Sequence, residues 1–194
     1  IDTTIRDMQI YVTDCDNNPP LVETKSKICV VAGDSVVFDV KGSDIDNDGM
    51  KGDLVRLTAL GAPLTSQYSP AIFTAPSMHV QPIVMGKFEW LTACEHISNQ
   101  PYSVVFKATD SLSRPTLADL KTVQIKVVGP PPLDVQATTQ QNEVEITWEK
   151  PYKCEDAAEN YFFGFSVWRR VGSNPFVLDT CSPGMNGKGY QELI

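Results

Sequence analysis

Apolar and polar residues alternate at a period of two through much of this chain, and the alternation is broken by clusters of Gly, Pro, Asn and Asp. In the run from Ser35, Val36, Phe38 and Val40 fall on one side while Asp39 and Lys41 fall on the other. In the run from Tyr102, Tyr102, Val104, Phe106 and Ala108 alternate with Ser103, Val105 and Lys107. A period of two marks half-buried strands, and no long segment carries the 3.6-residue period of a helix. Strands are predicted over 27–31, 35–41, 54–59, 87–90, 102–108 and 122–128, with a Pro-rich middle between the third and fourth. About seven strands in roughly 110 residues is the size and pattern of an antiparallel sandwich, so the fold class is all-β with immunoglobulin-like sandwiches in tandem.

The tandem arrangement follows from an internal echo. Ile5 to Val12, followed by Pro19-Pro20-Leu21, is matched by Leu120 to Val127, followed by Pro131-Pro132-Leu133, at an offset of 115 residues from position 5 to position 120. A final strand and a Pro-rich linker repeated at domain spacing is what strung β-modules produce. Residues 1–16 are therefore expected to be the last strand of a preceding, truncated module plus linker, residues 17–129 a complete sandwich, and residues 130–194 a second, partial module. Gly129-Pro130-Pro131-Pro132 favours a stiff polyproline II spacer between the two.

One stretch carries chemistry. Gly42-Ser43-Asp44-Ile45-Asp46-Asn47-Asp48-Gly49 places three carboxylates at alternate positions between two strand-like runs. Like charges so close repel unless screened, and oxygen ligands are what a hard cation such as calcium selects. Asp44, Asp46, Asp48 and Gly49 match positions one, three, five and six of an EF-hand, but position twelve is Val55 rather than Glu and the flanks have strand periodicity, so an EF-hand is excluded. The bland alternative is a solvated hairpin turn, since Asp, Asn and Gly are default turn residues.

Three places in the chain resemble bacterial cadherin-like and related immunoglobulin-like repeats. Asp14-Cys15-Asp16-Asn17-Asn18-Pro19-Pro20 resembles the cadherin inter-domain linker, Ser43-Asp44-Ile45-Asp46 the Asp-x-Asp turn after the second strand, and Ala108-Thr109-Asp110 the Ala-x-Asp at the end of the sixth. The resemblance implies calcium near the linker, held by Asp14, Asp16, Asn17, Asp44, Asp46 and Asp110, with Asp48 beside them. Relative to the usual linker, Asp16 and Asn17 exchange acid and amide, and the Asp-Arg-Glu motif is missing. Further on, 131–137, 144–151 and 163–170 resemble the first three strands of a fibronectin type III module with Trp148 as its core tryptophan. A full module takes about 90 residues, so its last strands are expected to lie outside the 65 that remain. The whole arrangement most resembles large secreted or surface proteins of Bacteroidetes, including those of gliding-motility-associated type.

Composition narrows the function further. Sixteen Lys plus Arg against 24 Asp plus Glu give a formal charge of -8, which argues against a nucleic-acid partner. No run of about 18 apolar residues is present, so no membrane span is expected. Neither a charged n-region nor an apolar h-region is read at the start. Five cysteines with no Cys-x-x-Cys pair disfavour structural zinc and leave disulfides or buried thiols. In a sandwich, Cys29 and Cys94 fall toward the end opposite the acidic turn and could pair; Cys154 and Cys181 bracket the third strand of the second module and could clip it; Cys15 is then the odd thiol.

The sequence contains no nucleophile elbow, zinc-protease helix, P-loop or dinucleotide fingerprint. His79 and His96 sit in polar stretches and are expected as solvated loop residues. Trp90 and Trp148 follow the apolar alternation and are expected in cores. Trp168, out of phase with Phe165 and Val167, is the one candidate for an exposed aromatic, against the alternative that it covers a sheet face. The resulting expectation is a non-catalytic structural and adhesion segment of a secreted or cell-surface protein, on the extracellular side of an outer membrane. Its partners would be neighbouring modules of the same chain and a cell-surface protein or glycan. The alternative is an accessory region, glycan-binding or spacer, of a secreted polysaccharide-degrading enzyme.

Overall fold

A nine-residue antiparallel ladder dominates the architecture. Ser35–Ser43 (β3) pairs with Ile83–Leu91 (β6) from Ser35↔Leu91 to Ser43↔Ile83. The computed structural model of the chain describes residues 7–10, 17–44, 52–80, 82–111, 116–150, 152–155, 164–173, 177, 179–182 and 184–193. Around that ladder Leu21–Glu23 (β1) and Ile72–Thr74 (β5) complete one sheet in the order β1-β3-β6-β5. Lys27–Val31 (β2), Val55–Gly61 (β4), Tyr102–Asp110 (β7) and Ala118–Val128 (β8) form the other in the order β2-β8-β7-β4. The two sheets make an immunoglobulin-like β-sandwich, in which the opening segment contributes one strand to each sheet. β2 joins β8 in parallel, so the turn at Ala32-Gly33-Asp34 crosses between sheets instead of closing a hairpin. Gly33 has φ +99°, a conformation that side chains resist. Thr92 secures the crossing, its N–H and hydroxyl both donating to the Asp34 carbonyl at 3.1 and 2.7 Å.

The alternation read from the sequence becomes the two faces of each sheet. Val36, Phe38 and Val40 of β3, Val84, Phe88 and Trp90 of β6, Val104, Phe106 and Ala108 of β7, and Val123, Ile125 and Val127 of β8 all point inward and are buried. Phe38 stacks on Phe88 at 5.0 Å, and Phe106 meets both rings edge-on at 5.8 and 5.9 Å, arrangements worth roughly 0.5–1.5 kcal/mol each beyond burial. Trp90 is in the core as expected, with its indole N–H donating to the Ser69 carbonyl.

His96 departs from the sequence expectation. It is 2% exposed, in a short 3₁₀ turn after β6, against Trp90 and Tyr102. The Ala93 N–H donates to its Nδ1 at 2.9 Å, which leaves Nε2 as the donor toward the Tyr68 carbonyl at 2.8 Å. Sequence polarity around it concealed a fully partnered core residue. The edge strand β5, in the Pro-rich middle, was also invisible to periodicity, because three residues are too few to show a period.

Beyond the sandwich, Gln136–Gln140 (β9) and Glu143–Thr147 (β10) form a hairpin whose ten residues are all exposed. Within the strand expected over 163–170, the described residues 164–170 form only Trp168–Arg169 (β11), paired with Gln191–Glu192 (β12). Trp148 is half-buried rather than in a core, meeting Phe165 edge-on at 4.9 Å, and Phe165 meets Tyr152 at 5.3 Å. Trp168 is likewise half-buried rather than exposed, bordering a cleft of about 200 Å³ with Trp148 and Phe165. Two-stranded ribbons with so little burial are marginal alone.

Covalent bonds hold this region to the sandwich. Cys29 is bonded to Cys181 and Cys94 to Cys154, which replaces both expected pairings, Cys29 with Cys94 and Cys154 with Cys181. The reason is side-chain parity. Val30 points into the core, so Cys29 faces outward from the β2–β8 edge, where the segment carrying Cys181 lies against it and Lys126 reaches the Cys181 carbonyl at 3.5 Å. Cys154 is 1% exposed at the margin of the sandwich core, and the neighbouring Tyr152 hydroxyl donates to the Pro130 carbonyl of the linker. Burial raises the pKa of that hydroxyl. Near Cys181, the Asp179 carboxyl is held below the usual carboxylate range by the Cys181 N–H and by Ser182. Cys15 lies outside the described residues.

Gly86, inward-facing on β6, lets the edge strand fold its ring over the core. A Cβ there would lie 2.4 Å from Phe73 Cζ. Gly86→Ala is expected to destabilise the sandwich by about 1–3 kcal/mol through overpacking. In a double-mutant cycle with Phe73→Ala, denaturant melts should show a coupling of at least about 0.5 kcal/mol, because the truncated ring leaves room for the methyl group. Additive costs would mean that the ring is not what fills the space above Gly86.

Candidate metal centre

Antiparallel pairing brings three carboxylates to one pole of the sandwich. Asp44 follows the last residue of β3, and its N–H donates to the Pro82 carbonyl at 2.7 Å. Asp110 is the last residue of β7 and stands opposite Val55, the first residue of β4; Asp53 precedes β4 by two residues. One oxygen from each of Asp44, Asp53 and Asp110 lies within 4.8 Å of the other two. Asp44 and Asp110 are each 1% exposed, and Asp53 is half-buried.

Asp110 is held from two directions. The Leu117 N–H donates to both carboxylate oxygens at 3.1 and 3.2 Å, and the Asp110 N–H donates back to the Leu117 carbonyl. From the linker, the Asn17 side-chain amide donates to Asp110 Oδ2 at 2.8 Å. A related tie sits close by, where the Val22 N–H donates to Asp119 Oδ2 and fastens β1 to β8 across the two sheets. The linker therefore enters the sandwich at the carboxylate pole.

Of the residues singled out in the sequence, Asp44, Asp110 and Asn17 are found at this pole. Asp14, Asp16, Asp46 and Asp48 lie outside the described residues. Asp53 was missed. In an EF-hand register starting at Asp44 it falls at position ten, where no ligand is required. Its signal was instead its place just ahead of a strand that starts at the same pole as Asp110.

Two almost fully buried carboxylates and a third within 4.8 Å repel by on the order of 1–3 kcal/mol per ionised pair, the lower end for the half-buried Asp53, which solvent screens. Burial adds several kcal/mol per ion. A cation offsets both costs. The donor set is all oxygen, which suits calcium and not zinc or copper. Three carboxylates supply three to six of the six to eight oxygens calcium takes, and carbonyls, amides and water supply the rest. The described residues thus fit a hard divalent cation.

No family model matches this chain, and no curated protein matches it. Among solved structures it is similar to the sialic acid binding region of the Streptococcus sanguinis SK1 adhesin, with 12% identity and a TM-score of 0.44, over 79% of this chain and 42% of that one. It is also similar to the SrpA adhesin from Streptococcus sanguinis, with 16% identity and a TM-score of 0.43, over 63% and 65%. The GspB Siglec domain is similar at 15% identity and a TM-score of 0.42, over 61% of each chain. The chain spans less than two thirds of each of these structures, and likenesses this remote bring no ligand or partner to it. No helix among the described residues is long and apolar enough to cross a membrane.

Removing one carboxylate should have opposite effects with and without cation. In chelator, Asp53→Asn is expected to raise the thermal midpoint by about 2–4 °C, the equivalent of roughly 1 kcal/mol of relieved repulsion. In excess calcium the same variant should melt below the parent. A fall in both conditions would show that Asp53 serves the fold rather than a cation.

Proposed function

We propose that this chain is a non-catalytic spacer and adhesion segment of a large secreted or cell-surface protein, with a joint to its neighbouring modules stiffened by calcium. The observation that carries this reading is the convergence of Asp44, Asp53 and Asp110 where Asn17 ties the linker to the sandwich. Asp44, Asp53 and Asp110 would hold the ion from the sandwich. Asn17, together with Asp14, Asp16, Asp46 and Asp48, would contribute from the linker and the acidic turn. The ion would supply charge neutralisation and a cross-link between linker and sandwich, not chemistry on a substrate. Extracellular modules bind calcium with dissociation constants of about 10⁻⁴–10⁻³ M, so such a joint is rigid outside the cell and slack wherever calcium is scarce.

In this reading residues 17–129 are a cadherin-like module and 130–194 a partial fibronectin type III-like one, in a surface protein of the Bacteroidetes, gliding-motility-associated type. The accessory glycan-binding alternative needs a planar row of exposed aromatics. Trp148, Phe165 and Tyr152 instead pack edge to face, and Trp168 is half-buried beside them, which favours the spacer reading.

Thermal unfolding in calcium, in chelator and in magnesium tests the proposal. At about 10 mM calcium, a site of about 0.1 mM affinity adds roughly 2.7 kcal/mol, a rise on the order of 10 °C for a sandwich of this size. Magnesium, which demands a tight octahedron, should raise it far less. The calcium increment should vanish in Asp44→Ala and Asp110→Ala. Equal midpoints in calcium and chelator would reduce the acidic pole to a solvated feature of the fold and remove the joint.

A further inference from the structure

The Cys29–Cys181 bond closes a loop with a sequence separation of 152 residues, and that loop contains everything from the end of β2 to β11. Tension applied to the two ends of the chain follows the shortest covalent route. Here that route runs from residue 1 to Cys29, across the sulfur bridge to Cys181, and out to residue 194. Strands β3 to β8 and the proline linker lie off it. Only residues 1–28 and 182–194 are in line, and the structure these contribute to the load path is slight. Among the described residues it consists of the three pairs of β1 with β3, the first two residues of β2, the two-residue pairing of β12 with β11, and a few hydrogen bonds such as Asn17 to Asp110 and Val22 to Asp119.

We infer that the Cys29–Cys181 disulfide is a mechanical bypass, which makes residues 30–180 a folded unit that tension along the chain does not unfold. The anchor sites fit that task. Cys29 sits within β2, in ladder with β8 at Lys126, so the load enters a hydrogen-bonded strand rather than a loose end. Cys181 is seated against the same strands by Lys126, and the turn after it is gathered by Lys188, whose ammonium donates to the Ser182 and Gly184 carbonyls. Cys94–Cys154, with a separation of 60, lies wholly inside the bypassed loop and forms a second shielded loop within the first. The carboxylates Asp44, Asp53 and Asp110 are inside the bypass, while Asn17 is outside it. A pull from the N-terminal side therefore strains the contact between linker and pole and the β1–β3 pairs beside it, without drawing out the strands that build the pole. That the chain works under tension rests on the spacer reading; the route of the load rests on the disulfide alone.

The nested loops predict three distinct lengths, which single-molecule stretching of the full chain between handles at its two ends can read. With both disulfides intact, the in-line segments release at most about 14 nm, taking about 3.5 Å per extended residue. In Cys29→Ser/Cys181→Ser, with Cys94–Cys154 kept, 152 less 60 leaves 92 further residues, or about 32 nm more. With dithiothreitol added to the folded parent, the whole loop opens and the gain is about 53 nm. Should the serine variant fail to fold, the parent pulled before and after reduction gives the first and last lengths, and non-reducing peptide mapping identifies the partner of Cys29. A release near full length from chains whose Cys29–Cys181 bond is intact would overturn the bypass, as would mapping that pairs Cys29 with another cysteine. Chelator should lower the force of the first small step and leave all three lengths unchanged. Unchanged force with the predicted lengths would discard the calcium joint and retain the bypass; the reverse result would discard the bypass alone.

Discussion

Each of the two four-stranded sheets carries one face that cannot stay in water, and their mutual burial is the constraint from which the other features follow. Phe38, Phe88, Phe106 and Trp90 fill the space between them, and the nine-pair ladder of β3 with β6 sets which residues of these strands face inward. A slip of one residue would turn every inward ring to solvent, so register and core are specified together. Because β3, β4 and β7 are held in that frame, their ends cannot drift. Asp44, Asp53 and Asp110 meet because the hydrophobic interior dictates where the strands stop. Their mutual repulsion is a cost the core imposes on the pole, small against the apolar surface buried between the sheets.

Among the described residues, the same core has no counterpart in the C-terminal region. The β9–β10 hairpin is exposed on both faces, and the described aromatics near it form a small cluster of Trp148, Phe165 and Tyr152. Two disulfides do there what apolar burial does in the sandwich. They restrict the unfolded chain and keep segments 152–155 and 179–182 against the sheet and its margin. Cys154 goes further and becomes part of the core edge. The proline tract adds stiffness between the two regions, with Tyr152 hydrogen-bonded to its first proline carbonyl.

Charge and covalency divide the molecule between its two ends. The acidic pole gathers carboxylates from distant parts of the chain at the point where the linker arrives, while the cross-links gather the C-terminal region on the β2–β8 edge and around the turn after β6. A segment that transmits force needs both a firm entry and a firm exit. On the proposed reading, stiffness at the entry would respond to calcium and the sulfur bridges at the exit only to reduction, so the two would be set independently.

Periodicity alone pointed to an all-β sandwich, to part of each long strand (87–90 of β6 and 122–128 of β8) and to most of its inward residues, because a period of two is a local consequence of burying one face of a strand. Turn chemistry likewise singled out Asp44, and the resemblance to cadherin-like repeats brought in Asp110 and Asn17. Short elements left no such trace: β1 and β5 have three residues each, and their places are decided by the edges of sheets already formed. His96 read as a loop residue because its partners, the Tyr68 carbonyl and Ser66, come from 28 and 30 positions away. Asp53 joined the pole only through the pairing of Val55 with Asp110. Cysteine pairing was the least legible feature, since it depends on which face of β2 carries Cys29 and on where a distant segment comes to rest. Local pattern determines what each stretch of this chain can be, whereas long-range packing decides which stretches meet, and the acidic pole and the sulfur bridges exist only in those meetings.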